Sequence, residues 1–164
     1  MRKGRLLRRL RSRNLCAHSI IFSGGWGRRA DYMKLIMPIK MIEVNRRLHT
    51  DPRIGFHVAD INALPLLKKS CNGIFCFSCF PHFHNKPRVM RALTTVLKKG
   101  GWLILAHFDS PEALNHHHAS SHMAVKHDRM PDEATIRSLF TGAGLTIVRH
   151  VNKDNFYAFL AKRK

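Results

Sequence analysis

Gly73 to Phe108 reads GIFCFSCFPHFHNKPRVMRALTTVLKKGGWLILAHF, and the fold turns on this stretch. Its first and last pieces, GIFCFSCF and WLILAHF, are short apolar runs bounded by turn residues, the pattern of strands buried on both faces. Between them a polar, proline-containing hinge, PHFHNKP, leads into RVMRALTTVLKK, where Val89, Leu93, Val96 and Leu97 recur at helical spacing. The order predicts a strand, a crossover helix and a second strand. Lys98 and Lys99 fall in the expected last helical turn, and Gly100 is placed to take a left-handed cap. Such a unit implies a parallel sheet with ligands at the carboxyl ends of its strands.

Working outward, composition bounds the rest. The chain has 164 residues, enough for one domain with one core. Its formal charge is +19, from 29 basic and 10 acidic residues, well beyond what solubility requires, so an acidic partner or an unpaired basic tail is implied. Residues 1 to 14 hold six arginines, one lysine and no acid. Residues 1–19 are expected to form a basic, disordered tail ahead of a domain at 20–164, with RNA as the partner such a tail would take and a solvated tail as the plain alternative. Cys16, Cys71, Cys76 and Cys79 are few and fit reduced thiols in a cytoplasmic protein better than a disulfide framework. The longest apolar runs fall far short of the roughly 20 residues of a spanning helix, and no signal-peptide apolar segment follows the basic start. No membrane span is expected.

IIFSGGWGRRAD, residues 20 to 31, reads as a strand running into a glycine turn at Gly24, Gly25 and Gly27, where backbone can approach a nucleotide; glycines so spaced also make ordinary turns. PIKMIEVNRRLH is an amphipathic helix with Met41, Val44 and Leu48 on one face. IGFHVA is a strand with Asp60 at its carboxyl end and INALPLL leading away as a loop. A carboxylate there accepts hydrogen bonds from a ring amine or ribose hydroxyls, and Ile61 offers an apolar surface for a base; a turn-forming aspartate is the alternative.

The histidines carry two readings. His116, His117, His118, His122 and His127 crowd one segment whose helical start is signalled by Ser110, Pro111 and Glu112. Dense imidazoles ligate zinc, but without regular ligand spacing they read as a polar lid. Cys76, Cys79, His82 and His84 also have ligand chemistry, yet a spacing of three puts the two thiols on opposite faces of a continuous strand, so a zinc site would need the strand to end by Phe77. No metal is expected.

VADINALP, GIFCFSCF and LKKGGWLIL, in this order, resemble the second half of a class I S-adenosylmethionine-dependent methyltransferase, and KMIEVNRRL is similar to the helix after that family's second strand. The resemblance covers roughly residues 39–162. It implies an α/β, Rossmann-like methyltransferase fold: a seven-stranded sheet, mostly parallel with an antiparallel last strand, in three α/β/α layers. LTIVRHV and FYAFLA match the last two strands, and PDEATIRSLFTGAG the helix before them, opened by Pro131 and Asp132, with Ile136, Leu139 and Phe140 inward and Gly142 or Gly144 at its end. The implied cofactor is S-adenosylmethionine. Asp60 would bind the adenine amino group, Ile61 would pack on the ring, and Cys76, Phe77 and Ser78 would line the methionine end.

The sequence departs from the family upstream. SGGWG is a degenerate form of the family's glycine loop, with no acid before it, and Ile36 and Met37 stand where the ribose-binding acid belongs. The change near residue 38 points to a first part replaced relative to the relatives. The activity the resemblance implies is in-line methyl transfer to a small-molecule acceptor, with His82, His107 and His127 as candidate bases because imidazole titrates near neutrality. The non-enzymatic alternative is an inactive domain on the same scaffold acting as a basic nucleic-acid-binding or interaction module.

Overall fold

The structure is a computed structural model that describes residues 19–24, 32–36, 39–48, 50–52, 54–57, 59–64, 66, 68–120, 127–153 and 156–164. Residues 1–18, with the arginine-rich run and Cys16, lie outside the described residues, as do Gly25, Gly27, Met37 and His122.

In chain order the elements are β1 (Ser19–Ser23), β2 (Tyr32–Ile36), α1 (Ile39–Leu48), β3 (Ile54–His57), β4 (Cys71–Phe77), α2 (Lys86–Val96), β5 (Leu97–His107), α3 (Pro111–Ser120), α4 (Glu133–Gly142), β6 (Leu145–Lys153) and β7 (Phe156–Arg163). The seven strands form one sheet in the order β3-β2-β1-β4-β5-β7-β6. β2 pairs parallel with β3 and β4 with β5, whereas β7 is antiparallel to both β5 and β6. The steps β2 to β3 and β4 to β5 run in opposite directions along the sheet, so right-handed crossovers carry α1 and α2 to opposite faces. The result is the expected three-layer α/β fold with an antiparallel last strand.

The central unit follows the pattern of its sequence. Phe75, Phe77 and Ala106 face one side of the sheet, while Ile74, Cys76, Leu103 and Leu105 face the other, where Val89, Met90 and Leu93 of α2 meet Ile136 and Phe140 of α4 in the main core. α2 starts where Asn85 Oδ1 accepts from the Arg88 N–H at 2.9 Å. α4 starts at Asp132, whose Oδ1 accepts from Thr135 N–H at 2.7 Å, and Gly144 at φ +78° follows its end. No helix among the described residues is long and apolar enough to cross a membrane.

Three expectations need correction. First, α2 ends at Val96, so Lys98, Lys99 and Gly100 belong to β5, not to a helical turn. Gly100 is left-handed, φ +72°, but it serves an irregularity in which pairing shifts from Cys71↔Leu97 to Gly73↔Trp102. Second, Leu48 of α1 is 52% exposed, while Asn45 is buried at 1%. Leu48 is therefore not on a buried face of the helix, and Asn45 is. Third, β1 is antiparallel to both neighbours, β2 and β4. Residues 24–31 are too few for a crossover, which takes a dozen or more, so β1 and β2 can be adjacent only as antiparallel strands.

Candidate functional site

The carboxyl ends of β4 and β5 open onto a cleft of about 240 Å³ lined by Ser78, Pro81, His82, His107, Phe108, Asp109, Leu114, His117 and His118. β4 stops at Phe77 because Ser78 turns to φ +48°, with its N–H donating to Ala106 O at 3.0 Å. The chain then makes a short 3₁₀ turn, Phe80–His82, that presents His82 to the cleft. Lys86 holds this turn in place by donating to Pro81 O at 3.1 Å and Phe83 O at 2.9 Å. Burial pulls the Lys86 ammonium below the usual lysine range, with the Asp128 charge opposing that shift.

Asp128 completes the arrangement. Its Oδ2 lies 2.6 Å from His82 Nδ1, and its backbone carbonyl lies 2.7 Å from His118 Nδ1. A carbonyl only accepts, so His118 carries its proton on Nδ1, and the carboxylate selects the same tautomer for His82. Both rings thereby keep Nε2 as the basic nitrogen, and they lie 5.4 Å apart between centroids. Asn115 fixes the segment that carries Asp128: its Nδ2 donates to Met130 O at 2.9 Å and its Oδ1 accepts from Met130 N–H at 2.8 Å. Asp128 and Asn115 escaped the sequence reading because the first is 46 residues from His82 and neither belongs to a motif.

The other candidates distribute as follows. His107 is buried at the end of β5 and lines the cleft; His127 is exposed and is not part of its lining. His116 and His117 are exposed on α3 and His118 is buried. Asp60 caps a 3₁₀ turn, Ile61–Ala63, with Oδ1 accepting from both the N–H and Nδ2 of Asn62 at 2.8 and 3.0 Å. The backbone hydrogen bond from Asn62, then its side-chain bond, hold the carboxyl below the usual range. Asp60 is exposed, and neither Asn62 bond uses its second oxygen. Ile61 is 3% exposed and packs into the main core, so it does not present the apolar surface for a base that the sequence suggested. Cys76 and Phe77 are buried on opposite faces of the sheet, and of the three residues ending β4 only Ser78 reaches the cleft.

Gly24 lies away from this site. β1 runs against β4, with Ser23 opposite Gly73 and Ser19 opposite Phe77, so Gly24 follows β1 at the amino end of β4. The structure does not bring Gly24 together with Asp60 and Ser78. Ile36 ends β2 at the same end of the sheet as the carboxyl end of β3, and it offers no hydrogen-bond acceptor. Asp60 and Ser78 thus stand beyond the carboxyl ends of β3 and β4, and among the described residues no glycine turn lies beside them and no acid ends β2.

Cys76 and Cys79 are buried beside each other, and burial pushes the Cys79 thiol well up, which keeps it neutral. Among the described residues no three histidine, cysteine or acidic side chains converge to hold an ion.

Comparison with known proteins agrees with this geometry. Residues 27–105 match the methyltransferase domain family. Among solved structures, a chain from the complex between the Haloferax volcanii Trm112 methyltransferase activator and a methyltransferase superposes with a TM-score of 0.67 at 16% identity, over 78% of this chain and 70% of that one. An S-adenosylmethionine-dependent methyltransferase from Thermotoga maritima gives 0.66 at 16% identity, over 80% and 72%. One from Mesorhizobium loti gives 0.63 at 13% identity, over 80% of each. No curated protein sequence matches the chain. Residues 27–105 thus carry the methyltransferase-domain match, and the fold of the chain is similar to that of these S-adenosylmethionine-dependent methyltransferases.

Proposed function

We propose that the protein transfers a methyl group from S-adenosylmethionine to a small molecule bound in the cleft at the ends of β4 and β5. The observation that carries this reading is the His82–Asp128 pair at 2.6 Å, whose imidazole lines a cleft of about 240 Å³. When bound, S-adenosylmethionine supplies a methyl group activated on a sulfonium centre. Asp60 accepts from the nucleoside through its second oxygen, and the left-handed Ser78 exposes backbone where the methionine end would lie. His82 Nε2 takes the proton the acceptor loses, and Asp128 holds the ring's tautomer and stabilises the imidazolium that forms. Phe108, Pro81 and Leu114 shed water from the acceptor, which aligns the reactants.

The acceptor's character follows from the lining. Among the described residues no lysine or arginine lines the cleft, and the ionisable side chains that do are imidazoles and Asp109. That environment favours a neutral or cationic acceptor bearing a hydroxyl or a ring N–H. The position of Gly24 favours the second reading, a domain that no longer methylates.

Calorimetric titration with S-adenosylmethionine separates the two. Micromolar binding, weakened about 10-fold or more by Asp60→Ala, supports the enzyme. In turnover with a hydroxyl- or azole-bearing acceptor panel, His82→Ala is expected to lower kcat by about 10²- to 10⁴-fold while leaving cofactor binding unchanged. Absence of binding at millimolar cofactor would establish the inactive domain.

A further inference from the structure

Most of the described acidic residues lie at the end of the sheet where the cleft opens, in company with Lys86, Arg88, Arg129 and Lys153. Asp60, Asp109, Glu112, Asp128, Asp132 and Glu133 all follow the carboxyl ends of parallel strands or open the helices there. The opposite end collects cations from three separate stretches of chain. Lys68 and Lys69 precede β4, and the Lys69 N–H donates to Thr95 O at 3.0 Å. Lys98 and Lys99 open β5 beside them. Lys162 and Lys164 come from the end of β7, where Lys162 is opposite Trp102 and the Lys164 N–H donates to Gly144 O at 3.2 Å. Arg163 ties the group together, its guanidinium donating to the carbonyls of Thr95 and Leu97.

All six lysines are exposed, and none forms an ion pair among the described residues. No described acid is near: Glu43 and Asp51 lie on α1 and before β3, whose strand is three places from β4. Lys162 Nζ sits 4.4 Å over the Trp102 ring, so the patch includes a half-exposed aromatic surface as well as charge.

We propose that this end of the sheet is a second binding site, for the phosphate backbone of single-stranded RNA. Six exposed ammonium groups on neighbouring strand ends, without an ion pair among the described residues, match a chain of phosphates, and Trp102 gives a base a ring to stack on once the Lys162 ammonium over it turns to a phosphate. A membrane surface fits less well. Interfacial binding needs apolar side chains to insert, and the exposed large hydrophobic residues among those described, Leu48 and Val148, are not in the patch. The site lies at the opposite end of the sheet from the cleft and is independent of the proposed methyl transfer.

The test uses the full chain and a fluorescein-labelled 20-nucleotide single-stranded RNA, with anisotropy read from about 50 to 200 mM salt. The variant Lys98→Gln/Lys99→Gln/Lys162→Gln/Lys164→Gln is expected to bind at least about 10-fold more weakly and to flatten the log–log salt slope by about 2 to 3. The corresponding four-fold Lys→Arg variant is expected to bind as the parent does, which separates charge from misfolding. Unchanged binding in the Gln variant would overturn the proposal and place the affinity in residues 1–14. Absence of RNA binding together with lysine-dependent sedimentation on phosphatidylserine vesicles would overturn it in favour of a membrane.

Discussion

Tyr157 is fully buried, and its hydroxyl has no hydrogen-bond partner among the described residues. Its ring packs against Phe159 at 5.6 Å and edge-on to His150 at 5.3 Å, and burial raises its phenol well above the usual range. Tyr157→Phe should therefore raise stability by roughly 1 kcal/mol, read from the denaturant midpoint, because it deletes a desolvated hydroxyl and keeps the ring. A drop instead would mean that the hydroxyl is bonded in solution. At this scale the sequence was informative about residue types and silent about pairings. His82 could be singled out as a base, since imidazole chemistry is intrinsic to the residue. Its partner could not, because Asp128 reaches it only after Asn115 and His118 have pinned the intervening segment to α3. Ile61 shows the opposite failure: an apolar residue beside an aspartate at a strand's end serves the core as readily as a ligand, and here the core takes it.

Among the elements, β5 shows how a correct feature can be given the wrong job. Gly100 and Gly101 punctuate the chain as the sequence indicated, but in a strand irregularity instead of a helix cap. They are needed for different reasons. A Cβ on Gly100 meets nothing within 4 Å, so its requirement is the left-handed backbone, which asparagine tolerates. A Cβ on Gly101 would stand 2.8 Å from Lys98 O and 3.1 Å from Asn72 O. Gly101→Ala is accordingly expected to cost about 1 to 3 kcal/mol of unfolding free energy, and Gly100→Asn much less. Equal losses in thermal unfolding would contradict this division. The strands flanking α2 were legible because burial on both faces leaves an uninterrupted apolar run. The direction of β1 was not, since IIF reads alike either way up; only the count of residues between it and YMKLI carries that information.

For the molecule as a whole, β1 is the sole strand joining β2 and β3 to the rest of the sheet. Removing residues 1–23 would leave β2 and β4 with unpaired facing edges, and the expected outcome is loss of soluble protein and of strand content by circular dichroism. A soluble truncation with unchanged spectrum would show that β2 and β4 can close on each other. The family match begins at Gly27, just beyond this strand, so the inverted element stands outside the part of the chain shared with relatives. The reversal also dictates how the protein can be handled. Ser19 pairs with Phe77, at the end of the sheet where the cleft opens, whereas Arg163 and Lys164 end among the lysines at the far end. An affinity handle spliced ahead of β1 would lie at the cleft end of the sheet, and one added after Lys164 would crowd the cationic surface. Turnover is best measured with the handle at the carboxyl terminus, and RNA binding with it at the amino terminus.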